Sequence, residues 1–566
     1  MALAIAVPTV AGAQSDPREG LGAGFLDAES TISGLEHTGV FEKPDGIFSD
    51  GSTSNSNYDS DLAFQGELAF MGNYGGFQVF DVADPTNPAP VAEVVCPGGQ
   101  GDLSVYGDLL FRSVEANNGR WDCGTQGNSF SERDQTMMRG IQVWNISDVT
   151  NPVQITAVPL CRGSHTHSIV EDPNDPTTVY VYNSGTSSTV GTNFVSCSNT
   201  PADSENPARW KTEIIAVPLA APETAAVVNE ARLFTDSTSG AINGLESQTD
   251  ACHDITAYPA IGLAAGACEG NGILIDISDP ANPVRLDAVA DNENFAYWHS
   301  ATFNNDGTTV VFTDEWGGGS GARCRATDPV EWGANAIFDI VDDGSGPRME
   351  FRSYHKMPAV QTSQENCVAH NGSLVPVPGR DILVQAWYQG GVSLMDFTDS
   401  SNPVEIAYFD RGPISPTSLI LGGFWSAYWY NGDIIGSEIA RGLDVFGLAE
   451  SPMMSAREIA AAESVTFDET NVQGQDHIAW APSTAVVGSF VDQAARSGAL
   501  AMLDQGKINQ IEHFLTKADS ANKPQKYASA AKEGRHVLKW LGDDAFADLS
   551  AAIVQLSESL DAQAAS

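Results

Sequence analysis

The sequence predicts an all-β fold, a seven-bladed β-propeller of four-stranded antiparallel blades, followed by a small C-terminal α-helical bundle. Three observations predict this fold. A motif of a glycine, an alternating strand and an Asp-rich turn ending in Asn-Pro recurs along the chain. The 54 glycines and 29 prolines favour many turns over long helices. Beyond residue 488, apolar residues recur at helical spacing.

The repeated motif predicts both the number of blades and the strands in each. Its seven copies follow one another at intervals of roughly 50 to 75 residues, as expected for blades. Another pair of strands precedes each copy, which gives two strands before the glycine and two after it. The four clear copies begin at Gly76, Gly140, Gly272 and Gly391, and the three weaker ones at Glu213, Ala336 and Gly442.

Two segments resemble known families. The copy GILIDISDPANPV, which begins at Gly272, resembles the LVIVD repeat, and residues 60–447 are similar to the secreted LVIVD-repeat propellers of bacteria. That family has no firmly assigned activity, so the resemblance implies a fold and not a function. The C-terminal segment, with about three predicted helices, resembles the FIMAH-type domain of secreted bacterial proteins, which implies a free-standing bundle or an attachment module rather than a catalytic domain.

The chain divides into five predicted regions. The N-terminal apolar run ends in Ala11-Gly12-Ala13, a pattern suited to signal peptidase, although no basic residues precede it and the signal is expected to be truncated. No later apolar stretch reaches the roughly 18 residues that span a bilayer. We therefore expect a secreted protein, released or held at the cell envelope. The regions are a signal peptide (1–13), a lead-in (14–59), the propeller (60–447), a linker (448–487) and the helical domain (488–566).

The charge of the chain excludes some partners. Its 73 acidic and 28 basic residues give a net charge of −45, which repels nucleic acids and anionic membranes. We expect most of the acidic residues to lie on a solvated surface. Calcium-binding loops at 50–61 and 172–175 remain an alternative, although neither has the spacing of a recognised calcium loop.

The eight cysteines predict disulfide bonds, because an exported chain with an even number of cysteines and no C-x-x-C pair is typical of disulfide-stapled proteins. Many connectivities are possible, about 105 for eight cysteines. Pairing between sequence neighbours is the arrangement we expect: Cys96 with Cys123, Cys161 with Cys197, Cys252 with Cys268, and Cys324 with Cys367.

Four blades are predicted to begin their innermost strand with histidine, although the chain has only ten histidines. Innermost strands converge on the channel, so residues at one repeat position form a ring. Neutral imidazole is the common protein ligand for zinc, copper and iron. The predicted ring consists of His167, His253, His299 and His370, beside Asp61, Asp102 and Trp425 in the other blades.

Further residues are candidates for roles around this ring. His165, two residues before His167 on the same strand face, is a further ligand or an outer partner. Glu315 and Glu438 each either hold a metal-bound histidine, act as a general base or pair with an arginine such as Arg441. The segment that begins at Gly317 is expected to form a loop over the channel mouth. Several aromatic residues cluster at the same strand ends, Tyr388 and Trp425 among them.

Two functions remain open from the sequence. One is a metalloenzyme, in which a divalent metal, copper or iron rather than zinc, activates dioxygen or water. The other is a non-enzymatic scaffold with a structural histidine layer, which binds a small molecule, an extracellular polymer or a surface protein. The predicted ring is similar in architecture to the iron site of carotenoid-cleaving oxygenases and the copper site of selenium-binding proteins, but neither family's motifs occur here.

Overall fold

The protein forms a seven-bladed propeller, which confirms the predicted fold class. The structure is a computed structural model that describes residues 16–43, 58–129, 133–188, 209, 211–233, 249–542 and 544–565. Seven antiparallel sheets each contribute four strands to a blade. The first strands of successive sheets contact one another in a closed ring around the channel. Radial closure leaves only short sheet edges, which protects a long β chain from edge pairing.

The strands follow the predicted order of two before and two after each repeat glycine. Two N-terminal strands, β1 (Ser30–Ser33) and β2 (Leu35–Glu42), join later blades. Blades 1 to 4, innermost strand first, are: β3 (Asp59–Gln65), β4 (Leu68–Asn73), β5 (Gly76–Asp81), β6 (Ala89–Val95); β7 (Leu103–Tyr106), β8 (Leu109–Val114), β9 (Gly140–Asn145), β10 (Val153–Pro159); β11 (Thr166–Glu171), β12 (Thr178–Ser184), β13 (Thr212–Pro218), β14 (Ala226–Ala231); β15 (Asp254–Tyr258), β16 (Leu263–Cys268), β17 (Asn271–Asp276), β18 (Val284–Val289). Blades 5 to 7 are: β19 (Trp298–Phe303), β20 (Thr309–Asp314), β21 (Asn335–Val341), β22 (Arg348–His355); β23 (Gly372–Leu374), β24 (Ile382–Ala386), β25 (Val392–Asp396), β26 (Val404–Arg411); β27 (Phe424–Tyr430), β28 (Asp433–Glu438), β29 (Gly442–Leu448) and β2.

The N-terminal strands close the ring. β2 pairs antiparallel with β29, from Leu35 opposite Leu448 to Glu42 opposite Gly442, and supplies the outer strand of blade 7. β1 pairs with β26 as a fifth strand of blade 6. Both strands come from the predicted lead-in, so this segment is an integral part of the blades. Closure therefore joins the beginning of the described chain to the last blade.

The repeat residues have identifiable backbone roles. Gly391 has φ +86°, and a Cβ there would lie 2.0 Å from the carbonyl oxygen of Phe409 on the neighbouring strand, so only glycine fits. In the turn after β17, Asp276 Oδ1 accepts hydrogen bonds from the Ser278 backbone N–H (2.9 Å) and hydroxyl (2.6 Å). Asp279 accepts from the Ala281 N–H (3.1 Å). Such side-chain turns explain the recurring aspartates.

The sequence offers two acidic stretches, 50–61 and 172–175, as possible calcium-binding loops. In the second, Asp172 accepts a hydrogen bond from the Asn174 N–H at 2.8 Å, and Asp175 accepts from the N–H of Thr177 at 3.0 Å. These carboxylates therefore hold their own turns. Of the first stretch, residues 50–57 lie outside the described residues.

Three of the predicted disulfide bonds are confirmed: Cys96–Cys123, Cys252–Cys268 and Cys324–Cys367. Cys161 is also disulfide-bonded, and its predicted partner Cys197 lies outside the described residues. The bond from Cys252 to Cys268 ties the start of β15 to the end of β16 within blade 4. It thereby fixes the backbone on either side of the channel mouth in that blade.

Residues 467–478, which we name the strap, cross the end of the channel where the innermost strands finish. Within the strap, β30 (Glu469–Asn471) pairs with β3. The Asn471 side chain bonds both the N–H and the carbonyl of Val105, at 2.7 and 2.8 Å. The Gln475 amide bonds the N–H and carbonyl of Phe303 in the same way, at 2.9 Å each. The strap, predicted to belong to the linker, therefore covers this end of the channel from blade 1 to blade 5.

The C-terminal helices form a bundle with its own apolar core, which includes the fully buried Ile511, Phe514 and Ile553. Four helices build it where about three were predicted, because the chain breaks once more around Gly542. Trp480 and Gln493 each donate a hydrogen bond to a carbonyl of blade 6, at 2.8 Å. No helix in the described part of the chain is long and apolar enough to cross a membrane. The helices are α1 (Arg133–Thr136), α2 (Ala456–Glu463), α3 (Thr484–Arg496), α4 (Gln505–Asp519), α5 (Pro524–Val537) and α6 (Ala547–Ala565), with short 3₁₀ turns at Pro222–Thr224, Pro259–Ile261, Ala499–Met502 and Asp544–Phe546.

Candidate metal centre at the channel mouth

Four imidazole rings lie side by side at the end of the channel opposite the strap. They belong to His165, His253, His299 and His370, at the start of the innermost strands of blades 3 to 6. Successive ring centroids are separated by 4.3, 4.0 and 4.1 Å in that order. The repeat thus brings the rings into contact across four neighbouring blades.

The register of β11 differs by two residues from the predicted one. The backbone N–H of His165 donates to Ser184 O on the next strand, as that of His253 donates to Ala267 O and that of His370 to Ala386 O. His165 therefore occupies the repeat position that the sequence assigned to His167. Because side chains two residues apart point to the same strand face, the sequence pattern alone does not distinguish the two.

Three of the four rings are each oriented by a hydrogen bond through Nδ1. His165 Nδ1 lies 2.8 Å from Glu115 Oε2, and His253 Nδ1 lies 2.9 Å from Asp254 Oδ1. His370 Nδ1 donates to the backbone carbonyl of Trp425. Among the described residues, Nε2 of His165 and Nε2 of His370 are buried and have no hydrogen-bond partner. A carboxylate or carbonyl on one nitrogen with the other nitrogen left available is the usual arrangement of a metal-binding histidine.

Glu315, which follows β20, completes the cluster. Its two oxygens lie 3.8 Å from His299 Nε2 and 3.7 Å from His370 Nε2. One ligand atom each of His253, His299 and Glu315 lie within 4.8 Å of one another, and all three residues are buried. Two histidines and one carboxylate with further coordination positions available form a donor set typical of non-haem iron sites.

Burial keeps the central rings neutral. It lowers the pKa of His370 to about 3 and, together with the neighbouring His253 and His370, lowers the pKa of His299 well below its usual range. Burial and His165 also lower the pKa of His253. His165 differs, because its pairing with Glu115 outweighs burial and raises its pKa. The neutral imidazoles are in the form that binds metal at neutral pH.

Tyr388 connects the cluster to the loop above it. Its hydroxyl lies 2.5 Å from Glu315 Oε1, and its ring centroid lies 4.6 Å from that of His370. The residue has φ +53°, which is uncommon for a bulky side chain and occurs often at functional sites. A Cβ on Gly319 would lie 2.3 Å from Tyr388 Cζ, so the loop that begins at Gly317 rests directly on this ring, as predicted for a loop at the channel mouth.

A pocket of about 450 Å³ lies over the histidines. His165, His253 and Glu315 line its base, and glycines 317 and 318 line its side. A volume between roughly 300 and 1,000 Å³ is usual for small-molecule sites. The cluster is therefore accessible to a small molecule from this end of the channel.

Four of the predicted residues lie away from the cluster: His167, Asp102, Asp61 and Glu438. His167 is one level deeper, with Nδ1 2.8 Å from Ser113 Oγ and 3.2 Å from Asp102 Oδ2. Asp61 accepts hydrogen bonds from the Tyr428 hydroxyl at 2.6 Å and from the Asn371 amide at 2.8 Å. These polar side chains form a separate layer within the channel.

Glu438 is the fourth of these residues, and it forms the ion pair with Arg441 that the sequence left open as one alternative. It pairs with Arg441 at 2.9 Å and accepts backbone hydrogen bonds from Gly423 and Ala440, both at 2.8 Å. Both of its oxygens are thus occupied. The structure brings Glu315 to the histidines and holds Glu438 in a turn of blade 7.

Glu115 was not among the sequence candidates, although a signal for it exists. It follows the second strand of blade 2, as Glu315 follows that of blade 5 and Glu269 that of blade 4, and Glu438 ends the second strand of blade 7. An alignment of second strands would therefore have found a recurring glutamate. Tyr74 and Tyr297, which line the pocket, carry no comparable pattern.

Comparisons with known proteins show only distant structural likeness. No model of a known protein family matches the chain, and no curated protein matches it. A putative 6-phosphogluconolactonase from Bacteroides uniformis is 10% identical over 64% of this chain and 84% of that one, with a TM-score of 0.40. A hypothetical selenium-binding protein from Sulfolobus tokodaii is 11% identical over 53% and 65%, with a TM-score of 0.34. Likenesses at this level support no conclusion about function.

Proposed function

We propose that His253, His299 and Glu315 bind a divalent transition metal, with His370 and His165 beside them, and that the protein is a metal-dependent oxidoreductase. The observation that supports this most is the direction of the ring nitrogens. Asp254, Glu115 and the carbonyl of Trp425 occupy Nδ1 of three rings and leave Nε2 for a ligand. Two imidazoles with one carboxylate form the donor set of non-haem iron sites and also of catalytic zinc sites, and of these the redox-active iron fits an oxidoreductase.

Each residue has a distinct role in this proposal. The metal, when bound, supplies activation of dioxygen or water at its open positions. Tyr388 holds Glu315 in place through the 2.5 Å hydrogen bond, and burial raises the pKa of Glu315 to about 7. The pocket above the cluster admits the second reactant, and the strap covers the other end of the channel.

Further parts of the proposal concern the location of the protein, its family and its attachment. The three disulfide bonds between described cysteines are consistent with an oxidising compartment, and we propose that the protein is exported. The predicted signal peptide, residues 1–13, lies outside the described residues. Membership of the LVIVD-repeat family and an attachment role for the helical bundle remain predictions.

The test compares metal affinity and metal-dependent oxygen uptake in two matched variants. Metal-free protein is titrated with Fe(II), Cu(II) and Zn(II), and oxygen uptake is followed with ascorbate as reductant. Glu315→Gln is expected to weaken iron binding at least tenfold, a loss of about 1.4 kcal/mol. Glu438→Gln, in the corresponding part of blade 7, should bind metal like the wild type. Wild-type protein that binds none of the three metals would instead support the non-enzymatic scaffold.

A further inference from the structure

The walls of the pocket over the cluster are aromatic and held in fixed orientations. Trp425 contacts Tyr74 and Tyr388 edge to face, with ring centroids 6.4 Å apart in both pairs. On the opposite side, the ring of Tyr297 meets that of His253 at 5.6 Å with an interplanar angle of 83°. Tyr388 and Trp425 are also buried within one apolar cluster. The pocket therefore offers flat apolar surfaces that suit another ring.

The charged groups around the pocket are negative. Glu315 lines it, and Glu115 lies directly behind His165. Among the residues that line this pocket in the described chain, none is a lysine or an arginine. The nearby Arg162 is turned away, with Nη1 2.7 Å from Asp250 Oδ1 and Nε 2.7 Å from the Ser187 carbonyl. A carboxylate or phosphate in the pocket would therefore meet no lysine or arginine, and the one imidazole whose pKa is raised, that of His165, is already paired with Glu115.

The net charge of the whole chain also disfavours anionic ligands. At −45, the protein repels anions before they reach the channel mouth. A positively charged ligand would instead meet the proposed metal ion at the base of the pocket. An uncharged molecule avoids both repulsions and gains from the aromatic walls.

We propose that this pocket binds small, uncharged aromatic molecules, of the size of benzyl alcohol or a phenol, and that without a metal it excludes aromatic carboxylates. The proposal rests on the proposed function, because it names the class of molecule that the metal site would act on. A single ring lies between Tyr74, Tyr297 and Trp425, and its polar substituent faces Gln100 or the base of the pocket. Selectivity comes from charge and ring stacking.

The test uses three ligands that share one ring and differ in charge: benzyl alcohol, benzoate and benzylamine. Binding is measured by calorimetry on metal-free and metal-loaded protein. We expect benzyl alcohol to bind at least tenfold tighter than benzoate to the metal-free protein. Benzylamine should lose affinity when the metal is loaded. Equal or tighter binding of benzoate to the metal-free protein, or no binding of benzyl alcohol to it, would overturn the proposal.

The metal-free measurement separates this proposal from the proposed function, since it requires no metal. A protein that binds no metal but prefers benzyl alcohol would refute the metal site and retain the pocket. A matched pair of variants locates the binding. Tyr74→Leu is expected to weaken benzyl alcohol binding at least tenfold, while Tyr106→Leu, at the strap end of β7, should leave it unchanged. Equal effects of both variants would contradict binding in this pocket.

Discussion

The nitrogen that each histidine presents to the cluster is set by a neighbouring residue. Asp254 follows His253 directly in the chain and accepts its Nδ1–H, so Nε2 is the nitrogen of this imidazole that is left for a metal. Glu115 does the same for His165 from a different blade. Partners of this kind fix the tautomer and raise the basicity of a ligand. The metal affinity of the cluster therefore depends on residues that do not touch the metal.

Removal of the Asp254 carboxylate tests this dependence. We expect Asp254→Ala to weaken metal binding about 10- to 100-fold, because the His253 ring loses its fixed orientation. Asp102→Ala is the matched control, since Asp102 is an equally buried carboxylate that bonds His167 instead. Titration with metal at neutral pH measures both. Similar losses in the two variants would place His167 in the cluster and contradict the register described above.

Asp410 makes stability depend on pH. It is fully buried on β26, bonded by the Gln361 amide at 2.8 Å, and burial raises its pKa to about 8. Between about pH 4 and 8 the folded protein holds a proton that the unfolded chain has released, so stability falls as pH rises through this window. Asp410→Asn cannot ionise. We therefore expect its Tm to exceed that of the wild type by at least about 2 °C at pH 8.5 and to match it near pH 4.

An exposed aspartate controls for the loss of one negative charge in that experiment. Asp108→Asn, at an exposed position after β7, should show the same Tm difference from the wild type at both pH values. A Tm difference for Asp410→Asn that does not change with pH would show that Asp410 is ionised in the folded protein at neutral pH.

At the scale of strands and loops, the disulfide in blade 4 positions the site. Cys252 directly precedes His253, and its bond to Cys268 holds the start of β15 against the end of β16. The bond between Cys96 and Cys123 instead closes a segment that contains Glu115, the partner of His165, but none of the four histidines. The two disulfide bonds therefore have a similar effect on stability, but only the first lies next to a proposed metal ligand.

Paired serine substitutions separate these effects. The double variants Cys252→Ser/Cys268→Ser and Cys96→Ser/Cys123→Ser should each lose about 3 kcal/mol of stability, because each frees a closed loop in the unfolded chain. The first should lose more metal affinity than the second, measured by titration below the Tm of each. Equal metal affinity in both would mean that the blade fixes His253 without the disulfide.

The strands show which features of the fold can be predicted from the sequence and which cannot. Seven repeat copies predicted the third strand of each blade, because glycine, Asx turn and Asn-Pro are local requirements of the backbone. The closure of blade 7 by β2 was not predicted, since LEHTGVFE carries no repeat motif and pairs with residues about 400 positions away. The approach of Glu315 to His370 likewise depends on how two blades sit against each other. Such contacts arise from tertiary packing, which local patterns do not encode.

For the whole molecule, the dominant property is its charge. A net charge of −45 on one chain produces self-repulsion that opposes the compact state. Salt screens this repulsion over about 10 Å at 0.1 M ionic strength. The propeller withstands the repulsion through its closed ring, in which β2 joins the first described strands to the last blade.

Salt should therefore stabilise the protein. We expect Tm at pH 7.5 to rise by several degrees between low salt and roughly 0.5 M NaCl, where exposed charges are largely screened. Near pH 4.2, the isoelectric point of the sequence, the same addition should change Tm little. Differential scanning calorimetry measures both. A Tm that falls with salt at pH 7.5 would show that favourable surface ion pairs outweigh the repulsion.

The central claim is that the histidine cluster binds a metal, and metal content by inductively coupled plasma mass spectrometry tests it most directly. Protein exported into medium with trace metals is compared with His253→Ala/His299→Ala and with the control His477→Ala/His513→Ala, in which both histidines are exposed. We predict close to one transition-metal ion per chain in the wild type and the control, and none in the first variant. A folded wild type without metal, or metal retained by His253→Ala/His299→Ala, would contradict the claim.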